Sequence, residues 1–505
     1  MITQAGQINV TALTLPDLYV QIVKPQTQVI NGVATNKAAI VGTGTWGPKN
    51  APTTIGTPAQ GAATFGPIQN RKYDLGTALQ IAAQQVANNF TVVRVTDGTD
   101  TAAKTTILTN CLTVTSIYTG SFGNTITVTL SAGSAAGSFK AVIGAPGLVP
   151  ESFDNVGVGL SGGALWAALA TAINSGTNAI RGASQIVVAS AGVGTAALVA
   201  GTSTLAGGTD GATTITGSVL LGVDTVPRTG MYSLRNSGAS LAMLADCDDP
   251  TTWASQIAYG LGEGTYMIMT GPSGDTLANA PVAKAAAGID SYGAKLCFGD
   301  WVYWLDTTNA VLRVVSPQAF FLGTLANLSP EQSSLNKPMQ GVVGTQKSNS
   351  NTQYADADLI GLVAAGIDVI TNPVPGGSYF GARVGHNSSS NPVINGDNYV
   401  RMTNYLAATF DAGMGIFIGR LESPTVQQQC LATLSAFMDN LEAQGMIKDY
   451  AVSIPAALNS AAQVALGNLQ IAVQAVYFSI LEKFIINVEG GTSVQIIRVS
   501  TSLVN

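Results

Sequence analysis

Between residues 101 and 217 the chain carries only six charged side chains, Lys104, Lys140, Glu151, Asp154, Arg181 and Asp210, and residues 105–139 carry none. A stretch so poor in charge must hide much of its surface, either in a bilayer or against other protein. A spanning helix needs about 20 consecutive apolar residues, whereas 105–139 is dense in Thr, Ser and Gly. Gly192, Gly194 and Gly201 break the apolar run at 182–209, and Pro455, Asn459, Gln463, Gly467, Asn468, Gln470 and Gln474 break the one at 450–481. The first 20 residues hold neither a basic start nor a compact apolar block. Neither direct membrane insertion nor a secretory signal is expected, and synthesis in the cytoplasm follows.

The shortage of charge extends beyond this island. Charged residues make up 10% of the 505, against about 25% in ordinary soluble proteins. With 46% hydrophobic residues there is too much apolar surface for a disordered chain, and the length suggests about three domains of roughly 100–200 residues. A net charge of −6 without any basic run argues against nucleic-acid binding. Cys111, Cys247, Cys297 and Cys430 lie far apart and read as isolated thiols, and with His386 the single histidine, neither a zinc site nor a disulfide frame is expected.

Local patterns divide the chain further. The island alternates, as in Leu112-Thr113-Val114-Thr115, turns at Gly120 and Gly123-Asn124, and holds one helix at 164–174; it reads as a β-rich insertion with Ser/Thr-rich exposed faces. From 218 the rhythm is strand, helix, strand: helix 251–259 behind Asp249-Pro250, strand 265–270, a helix within 276–291 with Pro281 in its first turn, strand 294–298, helix 355–365 and strand 367–373. That alternation predicts α/β layers around a largely parallel sheet. Beyond 385 come helix 398–410, strand 415–418, and a helix at 424–444. Ser423 caps this helix, Pro424 opens it, and Val426, Cys430, Leu434, Phe437, Met438 and Leu441 form its apolar stripe. Strands 449–454 and 469–478 and a closing hairpin of 484–488 with 494–499 complete the pattern.

Catalytic candidates are sparse. Gly159-Leu160-Ser161-Gly162-Gly163 has the spacing of a nucleophile elbow, but its only possible base is the distant His386, and a turn leading into the 164–174 helix explains it. No Gly is followed by Lys, so no P-loop exists. Gly271-Pro272-Ser273-Gly274-Asp275-Thr276 lies between strand and helix, where backbone amides can hold an anion, or where Asp275 or Thr276 caps the helix. Asp246, Asp248 and Asp249 could gather around Ca²⁺ but lack the distal Glu of a loop site, and capping and solvation of a helix start accounts for them. No cofactor or metal is expected.

The two ends alternate like strands. Extended ends can add strands to a neighbour's sheet or close the edges of their own domain, and the pattern alone supports both readings equally. Pro16-Asp17-Leu18-Tyr19-Val20, Ile30-Asn31-Gly32-Val33-Ala34-Thr35, Ala38-Ala39-Ile40-Val41-Gly42 and Trp46-Gly47-Pro48-Lys49-Asn50-Ala51-Pro52 open the chain in characteristic order. Phe65-Gly66, a helix through Leu79 and Val86, and Thr91-Val92-Val93-Arg94-Val95 follow. Near the other end stand Gly415-Ile416-Phe417-Ile418-Gly419-Arg420 and, after the long helix, Gln444-Gly445-Met446-Ile447. In order and spacing these segments, covering 16–97 and 398–500, resemble the contractile tail sheath proteins of bacteriophages and related injection machines. The 101–217 island and the polar loop around His386 depart from the most compact sheaths.

The resemblance implies an α/β multidomain chain without an active site. Its α+β inner domain would be built from both chain ends (21–100 and 385–491), beside a β-rich insertion domain (101–217) and an α/β middle domain (218–384). Arms at 1–20 and 492–505 would exchange strands between subunits through Val10, Leu13, Leu15, Val494, Ile496 and Val499. The resemblance also implies a homo-oligomer of hexameric rings in a helical lattice around a tail tube protein, with baseplate and tail terminator proteins as further partners, in the tail of a virion. The 424–444 helix would either face the tube, with Asp439, Glu442 and Lys448 as polar contacts, or serve the core alone. An α/β hydrolase-like enzyme, or a surface-layer or adhesin-type protein suggested by the Thr/Gly-rich island, are the competing classes.

Overall fold

The computed structural model describes residues 2–5, 19–22, 30–178, 181–347 and 353–490. Its centre is a seven-stranded sheet in the spatial order Ile367–Asp368, Ala294–Cys297, Tyr266–Thr270, Leu241–Leu244, Ala38–Gly42, Phe90–Arg94, Thr53–Ile55. All neighbours are parallel except the last pair. Every residue of the five middle strands is buried, as a parallel sheet covered on both faces requires. Successive side chains point to opposite faces, so the strands feed two cores. Ile40, Val92, Met243 and Ile268 pack against helices Leu75–Gln84 and Gln318–Asn327. Val41, Val93, Leu244 and Met269 pack against Trp253–Glu263 and Asp356–Ala364.

Strands 38–42 and 90–94 hydrogen-bond into the sheet of 241–297. Both strands are buried along their whole length, as parallel strands covered on both faces are, and the strand at 241–244 continues the layer beside 38–42. What reaches the C-terminal part is residues 30–33: Ile30 packs on Met402 and Leu406, and the Val33 amide donates to Thr409 Oγ1 at 3.3 Å.

Residues 102–204 form a β-rich unit of two antiparallel sheets. One holds Ala102–Ile107, Leu112–Thr119 and Val187–Ala191; the other holds Thr127–Ala132, Phe139–Gly144, Glu151–Val156 and Gly201–Thr204. Helix Gly162–Ser175 buries Leu165, Trp166, Leu169 and Ile173 against them. Threonine hydroxyls pair across the exposed strands, as in Thr129 with Thr202 at 2.8 Å. Its seam with the sheet is dense. Arg94, fully buried, donates to the carbonyls of Gly44, Gly47 and Asp210 and to Thr119 Oγ1. Trp46 reaches across to donate to Ser116 Oγ at 2.9 Å and stands edge-on to Tyr118. At Gly120 φ is +133°, and any Cβ would collide with the Thr45 carbonyl.

The C-terminal unit is built from helices Asp397–Met414 and Pro424–Ala443 and an antiparallel hairpin of Asp449–Ser453 with Ala472–Val476. Ser423 Oγ accepts from the Val426 amide and Pro424 opens the second helix; Cys430, Leu434, Phe437, Met438 and Leu441 are buried along it. The expected strand at 415–418 is instead a 3₁₀ turn, Gly415–Phe417, continuing a helix longer than anticipated. A four-residue apolar run makes a strand only where a partner strand is adjacent, and here Ile416 and Ile418 face solvent. Residues 484–488, the expected first arm of the closing hairpin, form no strand, and its second arm lies outside the described residues.

Candidate assembly surface at the terminal unit

With the six parallel strands numbered along the chain, the spatial order is 2-1-3-4-5-6, and ligands of such folds sit beyond the carboxyl ends at the order reversal. That position lies between Gly42 and Leu244, and the chain itself fills it. Asp246 accepts from the amides of Tyr73 and Ser316, and burial pushes its carboxyl pKa up. Lys72 pairs with Asp248 at 2.6 Å and lies over the rings of Tyr73 and Trp301. Of the acidic group, Asp249 caps through the Thr251 amide, Asp248 pairs with Lys72, and Asp246 is an interior acceptor.

The other sequence candidates resolve into local structure. Ser161 is exposed and stands at the N-cap of helix Gly162–Ser175. Thr276 Oγ1 accepts from the Asn279 amide at 3.1 Å in the turn that leads into helix Asn279–Ala286, whose N-cap position is Ala278. All four cysteines are free and buried. Among the described residues no cluster of His, Cys, Asp and Glu is arranged to hold a metal, and no helix is long and apolar enough to cross a membrane.

A buried ionic joint ties the terminal unit to the sheet. Lys295 Nζ lies 2.6 Å from Asp368 and 3.0 Å from Asp397, all three without solvent exposure. Asp397, in the first turn of its helix, also accepts from Tyr266 Oη and Ser334 Oγ. Burial alone would lower the lysine's pKa, but the two carboxylates outweigh it and raise it. Burial would raise Asp397, but Lys295 and the hydroxyl donors hold it below the ordinary carboxylate value. Arg401, one turn on, donates to the carbonyls of Leu328 and Ser329. The first turns of this helix thus belong to the sheet, while Met402 and Leu406 belong to the terminal core.

Beyond that joint the unit is unusually open. Neither edge of the hairpin is paired with a third strand among the described residues. An apolar groove of about 690 Å³ lies between Phe410, Met414, Phe417, Val426, Leu434 and Ile471. Past Val476 the chain leaves as a tail on which Phe484, Ile485 and Val488 are 77–86% exposed. Asp439, Glu442 and Lys448 are all exposed near the end of the capped helix. Asp439 accepts from Tyr450 Oη at 2.5 Å, the main cause of a tyrosine pKa pushed up to about 12. Val10, Leu13, Leu15, Val494, Ile496 and Val499 lie outside the described residues; strands Ile2–Ala5 and Tyr19–Ile22 flank the first three and pair in parallel. The sequence reading missed the Lys295 joint and the tail contacts of His386, whose partners are far apart in sequence; a lysine inside an otherwise apolar strand was the one available signal.

This architecture, a mixed α/β chain of several sheets, is the fold of contractile tail sheath proteins. Among similar solved structures, the sheath tail protein from Listeria innocua matches with a TM-score of 0.61 at 14% identity, over 90% of this chain and 96% of that one. The sheath tail protein from Desulfitobacterium hafniense matches at 0.58 and 15%, over 92% and 100%. The contracted sheath complex of the extracellular contractile injection system PVC matches at 0.55 and 11%, over 96% and 99%. No family model and no curated protein matches the sequence.

Proposed function

We propose that the chain is the structural subunit of a contractile tail sheath, assembling as helical hexameric rings around a tail tube and contracting to drive the tube through a bacterial envelope. One observation carries this reading: sheath proteins match over nine-tenths or more of both chains. The matched proteins are structural, and on this reading the chain is no enzyme. The open hairpin edges supply main-chain donors and acceptors for arms of adjacent copies, with Val10, Leu13, Leu15, Val494, Ile496 and Val499 as the exchanged side chains. Contraction is a switch between two packings of the same interfaces and needs no nucleotide. Tube, baseplate and terminator proteins are the partners, and the virion tail is the location; a baseplate complex of the anti-feeding prophage is among the matches.

Electron microscopy of the purified protein tests this. Hollow tubes are expected; monodisperse monomers at all concentrations would overturn the reading. Deleting residues 1–15 should leave a folded subunit that makes no tubes. Asp439, Glu442 and Lys448 are proposed to face the tail tube, and reversing the charge at Asp439 and Glu442 should abolish loading onto it while tubes of sheath alone still form.

A further inference from the structure

The sole histidine does not sit in a solvated loop. His386 is 8% exposed, its carbonyl accepts from Lys295 Nζ at 3.0 Å, and its Nε2 lies 2.7 Å from Glu482 Oε1 on the departing tail. Three more contacts hold the tail on the same side. Asn398 Nδ2 donates to the Phe478 carbonyl, the Tyr477 and Thr403 hydroxyls pair at 3.2 Å, and Tyr477 packs edge-on to Tyr399. Among the described residues Glu482 is the last one anchored, since 483–490 are exposed throughout.

Strand Ala472–Val476 ends six residues before this anchor, with one edge unpaired among the described residues. A reversal needs only about two to five residues. Lys483-Phe484-Ile485-Ile486-Asn487-Val488 is rich in strand-forming side chains. Folding back, this segment would lie antiparallel on its own strand and turn a two-stranded ribbon into a three-stranded sheet, which is more stable. Self-closure of this kind would occupy the edge offered to another copy and withdraw the tail at the same time. The contacts above carry 477–482 towards the 386–399 region.

We propose that the His386–Glu482 pair is a latch that keeps the C-terminal tail off the free edge of its own hairpin, so that edge and tail stay available to other subunits. The availability rests on the sheath reading; the latch itself does not. A flexible closing loop gains little from being shortened by six residues, so the latch acts through direction, fixing where the tail leaves the body.

Lys483 places a tryptic site immediately beyond the anchor. In the dilute, unassembled subunit, Glu482→Gln and His386→Ala should each slow release of the fragment beginning at Phe484 at least about threefold as the closing tail carries Lys483 into the sheet, the scale of a half-exposed ion pair. The double variant should be no slower than either single one. Unchanged rates, or rates that multiply in the double variant, overturn the latch, and Glu482→Gln is exposed enough to leave the fold intact. Hydrogen exchange at the amides of 472–476 should slow in the Glu482→Gln subunit as the tail closes on them; exchange equal to wild type overturns the guarding role. Normal tubes from a chain lacking 483–505 would defeat the sheath-arm reading while leaving the proteolysis result standing.

Discussion

Removing the ammonium of Lys295 would leave Asp368 and Asp397 facing each other with neither water nor counter-charge. Breaking a buried ion pair from one side costs about 3–5 kcal/mol, and Lys295→Met should destabilise the chain by that amount in denaturant titration. The pH window follows from the two shifts. Asp397 is depressed, so its contribution is complete above the unfolded-state value of about 3.9 and lost as pH falls through the folded-state value. Lys295 is raised, so its contribution is complete below about 10.4 and lost as pH rises through its folded-state value. Between about pH 5 and 9 the wild-type chain should therefore draw the full contribution of the joint, whereas the Lys295→Met deficit should grow as pH rises, because two buried carboxylates without a counter-charge resist ionisation; a deficit that does not change with pH would mean the pair is not ionised. Residue roles set by near neighbours could be read from sequence, as with Ser423 and Asp249 at helix starts. Asp246 could not, because its donors come from residues 73 and 316.

The same division holds for elements. The helix Pro424–Ala443 was legible because its cap, its opening proline and its stripe are all local. Phe437, packed against Tyr405 and Phe410, is the keystone of that stripe. Phe437→Ala should cost about 3–5 kcal/mol and Ser423→Ala about 1 kcal/mol, both read by denaturant titration with hairpin hydrogen exchange. Equal costs would show that the helix holds by its end and not by its buried face. Residues 415–418 were read as a strand because a short apolar run looks alike in either setting, and only the missing partner strand decides. The hairpin strand at 472–476 was legible within a longer apolar run, but where the tail turns away depends on His386 and Asn398, about 80–100 residues upstream.

At the scale of the molecule, the layered parallel sheet was readable from alternating strands and helices, whereas its membership was not. Strands 38–42 and 90–94 carry no local mark of pairing with residues beyond a 117-residue island. That island also borrows parts: its core includes Trp46, and Arg94 bonds its edge from inside the sheet. A segment that shares its foundations cannot be lifted out cleanly. Replacing residues 101–209 with a Gly/Ser linker should strand a tryptophan and a guanidinium at the sheet's rim and yield insoluble protein. Cargo inserted after Gly147, at an exposed turn with open space around it, should leave the melting temperature unchanged. Soluble, fully stable excision products would show that the seam is dispensable. For anyone wishing to attach cargo to this chain, the exposed turn at Gly147 is the place to graft, and the seam between the β-rich unit and the sheet is part of the chassis.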